Sequence, residues 1–335
     1  ILQKSKMAMS PISIILLLLM VPNVNNFMQT STKIFHRPRS KNGISMELAL
    51  NGGGSYVALA TPMLTDGKVD EYNLKKLVLW HLNEGTNGIV ALGTTGEAST
   101  LNQKEKIKII QIVKNEISNK IPLVVGTGGV DPVKVLENTK IAAENGADAC
   151  LMVTPYYVKP TQKGLVKFYE MLANESDLPI VLYNVPGRTG VDLKHDAVVH
   201  LSMNPGIIGI KDATGDLNRV KPLLEKCEEG FLLYSGDDIS CREFVEKGGH
   251  GVISVTANVA PNKMAKMVEC AAKGLHEEAL EIDEKLSKLH TNLFVESNPI
   301  PVKWALSRMG RIESPVCRLP LTELENEHFK CVEEA

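Results

Sequence analysis

Residues 206–216 read GIIGIKDATGD, an apolar run that ends on Lys211 and turns away through Asp212, Thr214 and Gly215. A strand with one wet face alternates apolar and polar side chains. This run does not, which is how a strand covered on both faces reads. Seven other runs share that character: YVALAT (56–61), GIVAL (88–92), PLVVGT (122–127), ACLMVT (149–154), PIVLYN (179–184), FLLYSG (231–236) and GVISVT (251–256). The stretches between them carry the helical period. In QKEKIKIIQIVKNEIS (103–118), Ile109, Ile110, Val113 and Ile117 fall on one stripe with Lys and Glu elsewhere. Asp131-Pro132 reads as an N-cap followed by proline at the first helical position, and Asn145-Gly146 as a stop. The segments 70–84, 132–145, 162–174 and 261–272 are predicted helices on the same grounds.

Eight strand–helix units in one chain of 335 residues predict an α/β fold closed into a (β/α)8 TIM barrel. The rival is an open doubly wound sheet. Such a sheet is expected to carry GxGxxG after its first strand or a P-loop; the chain has neither, and GTGG at 126–129 is too short to count. The barrel is assigned to residues 51–272. Helical patterns near 275–294, 300–309 and 321–334 predict a C-terminal helical extension, residues 273–335, packed on the barrel or on a partner.

The formal net charge is -2, and the body carries no basic stripe, which argues against a nucleic-acid partner. Cysteines stand at 150, 227, 241, 270, 317 and 331 without CxxC spacing. They read as reduced thiols rather than zinc ligands or a disulfide framework, and the scattered histidines suggest no metal cluster. Residues 1–45 hold six Lys or Arg and no acid. Within them, Pro11–Val21 is an apolar run about half the length a membrane span needs. It resembles a signal-peptide core, and the basic stretch after it suits an organelle transit segment. Because the sequence opens on Ile1, Met46 is an alternative start. Residues 1–50 are therefore left out of the fold as a disordered or targeting-like extension. The expected location is cytoplasmic, or a plastid or other organelle if that segment directs it there.

Chemistry in such barrels sits where strands end. Thr94 and Thr95 follow the second strand in GTTGE, and Tyr156 and Tyr157 follow the fourth in VTPYY. Tyr183 ends the fifth, Arg188 follows in NVPGRTG, Lys211 ends the sixth, and Ser254 and Thr256 mark the eighth. Burying an ammonium is costly unless it is paired or its proton affinity falls. Lys211 is thus either a rim ion pair with Asp212 or Glu97, or a nucleophile toward carbonyls. Tyr183 reads as a packed tyrosine or as a proton carrier beside that lysine. Arg188 reads as a solvated loop charge or a clamp for a carboxylate. Gly93 and Gly96, flanking the threonines, either make a tight turn or bare backbone N–H groups to an anion. His250, between two glycines, reads as a structural turn histidine.

GTTGE, VTPYY, LYNVPGRTG, GIKDATGD, GGHGVISVTANV and NPIPVK, in this order and each beside a barrel element, resemble the pyruvate-dependent class I aldolase/lyase family, most closely its dihydrodipicolinate synthase branch. The resemblance spans residues 52–330. It implies that Lys211 forms an imine with pyruvate and that the derived enamine attacks L-aspartate 4-semialdehyde. It implies further that ring closure releases 4-hydroxy-tetrahydrodipicolinate for lysine biosynthesis through diaminopimelate. Thr94 and Thr95 match the pyruvate-carboxylate binders, with Gly93 beside them and Thr94 also in a proton relay. Tyr183 matches the relay phenol, and Tyr157 the tyrosine that a neighbouring subunit contributes. Arg188 matches the binder of the semialdehyde carboxylate, and the Ile253 carbonyl an orienting acceptor. No metal or organic cofactor is implied. The assembly implied is a homotetramer, a dimer of tight dimers.

Three further expectations come from that comparison. The alternative within the superfamily is N-acetylneuraminate lyase or a 2-oxo-3-deoxy sugar-acid aldolase; Arg188 and the second threonine of GTTGE favour the synthase. A catalytically silent barrel is expected to lack Lys211 or Tyr183, and both are present. Many relatives bind feedback lysine in a cleft between subunits, where Tyr156 matches. Here, however, the other positions read Ala98, Gln103, Lys106, Val130 and Lys134. Two ammonium groups repel a cationic ligand and Val130 offers it no hydrogen bond, so lysine feedback is expected to be weak or absent.

Overall fold

The structure is a computed structural model that describes Leu50 and residues 52–335. The readings of the apolar and basic leader, residues 1–49, lie outside the described residues. Eight strands follow in chain order: β1 (Gly54–Ala58), β2 (Gly88–Ala91), β3 (Leu123–Gly126), β4 (Ala149–Val153), β5 (Ile180–Asn184), β6 (Ile207–Asp212), β7 (Leu232–Ser235) and β8 (Gly251–Ser254). Each pairs in parallel with the next, and β8 pairs with β1. The sheet is a closed barrel, which excludes the open doubly wound alternative.

The lack of alternation in the strand runs has its cause here. One set of strand side chains, including Tyr56, Val90, Val124, Leu151, Val181, Ile208, Tyr234 and Ile253, fills the barrel interior. The other set, including Val57, Ile89, Leu123, Cys150, Leu182, Ile207, Leu233 and Val252, packs outward against helix residues such as Leu74, Val113, Leu172 and Met264. Both faces are dry, so both are apolar, and each fully buried aliphatic side chain contributes about 1.5–3 kcal/mol. The GTGG stretch serves packing. A Cβ on Gly126 would stand 2.1 Å from the Leu92 carbonyl oxygen, and one on Gly128 would stand 2.5 Å from Val153 N.

The predicted helices form as Glu71–Asn83, Gln103–Ile117, Pro132–Glu144, Gln162–Glu175 and Pro261–Ala272. Their starts carry the capping chemistry. Asp70 accepts from Asn73 N, and Asn102 and Glu105 close a reciprocal capping box. Three short helices, His195–Ser202, Val220–Lys226 and Cys241–Glu246, fill the remaining crossovers. With about two turns each they show too little period to be read from sequence.

Two boundaries differ from expectation. The first strand starts earlier than 56–61, where Gly54 and Ser55 already pair with β8, and stops earlier because the Asn258 side chain takes over the backbone beyond it. Asn258 Oδ1 accepts from Ala60 N and its Nδ2 donates to the Ala58 carbonyl. The pattern at 321–334 becomes helix only at Phe329–Glu333, after a 3-10 turn at Asn326–His328. Residues 321–325 ahead of it form no regular element, and Glu325, with an extended backbone, donates its N–H to Glu296.

The extension begins with His276–Asn292 and Ile300–Arg308. Val302, Trp304 and Leu306 share an apolar cluster with Leu77 and Val259 of the barrel layer, and Phe329 stacks on Trp304 at 4.9 Å between centroids. Among the described residues no helix is long and apolar enough to cross a membrane.

Candidate active site

Lys211 owes its direction to an irregularity in β6. Simple alternation would send residues three apart, Ile207 and Ile210 or Ile208 and Lys211, to opposite faces, yet Ile207 and Ile210 both point outward. Between β5 and β6 the register slips: Ile180 pairs with Ile207, but Val181 pairs with Gly209. This bulge adds one residue to β6 and resets the alternation, so that Ile208 and, three residues later, Lys211 both enter the barrel. Lys211 then lies between Tyr183 of β5 and Tyr234 of β7 in register.

The lysine is 5% exposed, with its Nζ 4.5 Å from the centroid of the Tyr183 ring. Room for its stem comes from Gly236, where a Cβ would stand 2.9 Å from Lys211 Cε and 2.7 Å from Ala213 Cβ. Neither carboxylate of the ion-pair alternative serves it. Asp212, pointing outward, accepts from Arg219 Nε at 2.7 Å and from the Thr214 hydroxyl at 2.6 Å. Glu97 pairs with Lys303 at 2.6 Å, both side chains wholly buried. Lys211 is therefore an amine enclosed by aromatic and apolar walls, with an aromatic face as its cation partner. Deeper in the barrel, Tyr56 and Tyr234 meet edge to face at 5.3 Å. Burial pushes both phenols well above the ordinary tyrosine range, so they act as neutral packing.

The rim loops bring most of the other candidates to the same end of the barrel. Thr94 is exposed at the mouth. Thr95 is buried, and its hydroxyl accepts from Asn298 Nδ2 at 2.9 Å. Gly93 has open space where a Cβ would be, leaving its backbone accessible, whereas Gly96 is confined, its Cβ position 3.2 Å from the Leu59 carbonyl. Arg188 is exposed on a one-turn helix, Pro186–Thr189, whose Thr189 is tied to Thr154 of the neighbouring loop. Tyr157 is 91% exposed and holds a left-handed backbone, φ 69°. Among the described residues none covers it. Ile253 is buried beside Tyr56 across the β8–β1 pairing. Thr256 turns outward in a 3-10 turn, Thr256–Asn258, and bonds His290. His250 bridges β7 and β8 at the opposite end: its N–H donates to the Leu233 carbonyl and its Nδ1 accepts from Leu233 N.

Of the positions matched to the feedback site by resemblance, Lys134 and Gln103 are exposed, and Tyr156 and Val130 are 47% and 36% so. Lys106 is half-buried, and burial lowers its proton affinity. Among the described residues no three His, Cys, Asp or Glu side chains gather where a metal ion could be held. A cavity of about 590 Å³ lies between helices, walled by Trp80, Trp304, Arg308 and Arg311, and none of the candidate residues lines it.

Gly236, Asn298 and the Glu97–Lys303 pair carry no local signal of a role at this site. Only the motifs NPIPVK, which holds Asn298 and Lys303, and GTTGE, which holds Glu97, pointed to the last two. Glu97 holds φ 53°, a left-handed conformation that costs a non-glycine residue about 1–3 kcal/mol, and it is kept there by Lys303 and by Arg318 N, which donates to its second oxygen at 2.8 Å.

The model of the Dihydrodipicolinate synthetase family matches residues 51–335. The 4-hydroxy-tetrahydrodipicolinate synthase of Saccharophagus degradans is 50% identical over 84% of this chain and 97% of its own length. That of Methylococcus capsulatus is 51% identical over 81% and 93%. Among solved structures, the chloride-inhibited dihydrodipicolinate synthase from Acinetobacter baumannii, complexed with pyruvate, superposes with a TM-score of 0.83 at 48% identity, covering 84% of this chain and 97% of that one. A barrel closed around a strand-end lysine, matched over almost the full length of these relatives, leaves one conclusion: the chain belongs to the dihydrodipicolinate synthetase family.

Proposed function

We propose that Lys211 condenses with pyruvate and that the resulting enamine adds to L-aspartate 4-semialdehyde, yielding 4-hydroxy-tetrahydrodipicolinate. The chain is an enzyme of the Schiff-base lyase class, and its reaction is that of the 4-hydroxy-tetrahydrodipicolinate synthases rather than of N-acetylneuraminate lyase. The observation that carries the residue assignment is the enclosure of Lys211, with Asp212 and Glu97 both committed to other cations. The pyruvate complex of the Acinetobacter baumannii relative supports the first substrate.

The unprotonated Nζ of Lys211 attacks the pyruvate ketone, and the resulting carbinolamine oxygen takes up a proton from the relay and leaves as water, giving a cationic imine. That cation accepts the electron pair released when a methyl proton departs, so an enamine forms. The enamine carbon bonds to the aldehyde carbon, whose oxygen takes up a proton. The amine of the second substrate then adds to the imine carbon, closes the ring and expels Lys211. Tyr183 moves protons at the imine nitrogen, Thr94 continues the relay, and Thr95 with the Gly93 backbone holds the pyruvate carboxylate. The Ile253 carbonyl orients the pyruvate, and Arg188 receives the carboxylate of the semialdehyde.

An exposed Tyr157 completes the relay when a second subunit covers it, which supports a tight dimer, two of which make the homotetramer. Lys106, Lys134 and Val130 at the positions matched to the feedback site support weak or absent feedback by L-lysine. The buried thiols of Cys150, Cys241, Cys270 and Cys317 suit a reducing compartment, the cytoplasm, or an organelle if residues 1–45 direct it there.

Borohydride added with pyruvate tests the assignment. One reduced pyruvate adduct is expected per chain, on Lys211, with none in K211A. Label on another residue, or turnover of N-acetylmannosamine instead of the semialdehyde, overturns it.

A further inference from the structure

The NPIPVK segment lies in the C-terminal extension, yet two of its side chains end in the GTTGE loop. Asn298 Nδ2 donates to Thr95 Oγ1 at 2.9 Å across 203 residues of sequence, and Lys303 Nζ meets Glu97 at 2.6 Å across 206. Both contacts are buried. The loop is gripped from the segment after β1 as well, where the Thr61 hydroxyl donates to the Gly96 carbonyl at 2.8 Å.

The direction of the Asn298–Thr95 bond has a chemical consequence. A hydroxyl owns one proton and two acceptor sites, while an amide nitrogen only donates. Having accepted from Asn298, Thr95 keeps its proton for another partner, and among the described residues no acceptor takes it. The Asn298 carbonyl oxygen is also buried without a hydrogen-bond partner, so it does not compete for that proton. With the Gly96 carbonyl held by Thr61 and the Glu97 carboxylate by Lys303, the free proton of Thr95 is poised for an anion entering the mouth.

We propose that Asn298 is a positioning residue for the condensation: it sets the Thr95 hydroxyl as a fixed donor to the carboxylate of the 2-oxo acid. This rests on the reading that Thr95 holds that carboxylate. The extension thereby becomes part of the substrate site, although it supplies no group that touches the reacting atoms.

Three variants test it, each checked first for wild-type folding by circular dichroism and thermal melting. N298A is expected to raise the pyruvate KM about 10- to 100-fold, the value of a hydrogen bond to a charged group, with kcat within about threefold. N298D keeps the shape but reverses the bond, because a carboxylate accepts the Thr95 proton. Its pyruvate KM is expected to exceed that of N298A and to fall as pH is lowered and the new carboxyl gains a proton. A structural role alone would produce no such trend. In a T95V background the N298A change is expected to have no further effect on KM, which holds even if N298D folds poorly.

Equal pyruvate KM in N298A and N298D with no pH trend, or an N298A effect that persists undiminished in T95V, overturns the inference. Borohydride trapping of pyruvate by the wild type separates the two levels. If trapping at Lys211 fails, the reading of the site itself has failed; if it succeeds while N298A and N298D retain wild-type KM, only the role of Asn298 has.

Discussion

Lys303→Met is expected to destabilise the protein by about 3 kcal/mol, and the Glu97–Lys303 pair provides the means to check the reasoning. Both side chains are wholly buried and their charged atoms lie 2.6 Å apart. Removing one partner of a buried pair strands the other charge, which costs about 3–5 kcal/mol. Glu97 keeps the hydrogen bond from Arg318 N, so K303M belongs at the lower end of that range. E97Q leaves the Lys303 ammonium with no other carboxylate among the described residues, which places it at the upper end, about 4–5 kcal/mol. E97Q/K303M strands no charge, and its loss is expected to stay below about 3 kcal/mol, far less than the sum of the single changes. The assay is urea unfolding of all four proteins at one protein concentration, since assembly contributes to apparent stability. A double variant as unstable as the two single losses added together, or a K303M loss under about 1 kcal/mol, refutes the account. Because Glu97 is two residues from Thr95, K303M is also expected to raise the pyruvate KM.

G236A would put a Cβ 2.9 Å from Lys211 Cε, so the lysine must shift by roughly half an ångström or more; imine formation measured by single-turnover trapping is expected to slow about 10- to 100-fold, and a change under twofold counts against Gly236 as the clearance for the stem. Burial lowers the proton affinity of His81 from the ordinary 6.5 to about 3, so the unfolded chain takes up that proton first. Above about pH 6.5 His81 adds no pH dependence, and below it stability falls by up to about 1.4 kcal/mol per pH unit until about pH 3. Between pH 6.5 and 5, chemical unfolding of H81L is expected to show a shallower loss than the wild type, and parallel curves would contradict the assignment. L-lysine in a coupled assay is expected to leave activity nearly unchanged at micromolar concentration, because the positions matched to the feedback site include two ammonium groups, Lys106 and Lys134, that repel a cationic ligand; half-inhibition in that range would overturn the expectation.

The elements themselves were legible because they are local. Ile109, Ile110, Val113 and Ile117 mark a helix face at 3.6 residues per turn, and the strand runs announce two dry faces by their lack of alternation. The cap read at Asp131-Pro132 marks a start that the structure reproduces. Short helices such as Cys241–Glu246 passed unread because they are too brief to display a period. The pattern at 321–334 overstated the helix because extended segments packed on a surface can mimic its spacing.

The site was legible as residue types at strand ends, and not as geometry. Sequence could not say which way Lys211 points: Ile207 and Ile210 face outward, and parity alone leaves Lys211 ambiguous. The answer depends on the slipped register between β5 and β6, which is a property of two strands together. The grip of Asn298 and Lys303 on GTTGE joins segments more than 200 residues apart, and nothing in either segment specifies the other. What the chain determined by itself was the order and kind of its elements, because hydrophobic period and capping act over a few residues. What only the folded barrel decided was which side chains meet, because register, bulges and long-range contacts exist only once the strands have closed on one another.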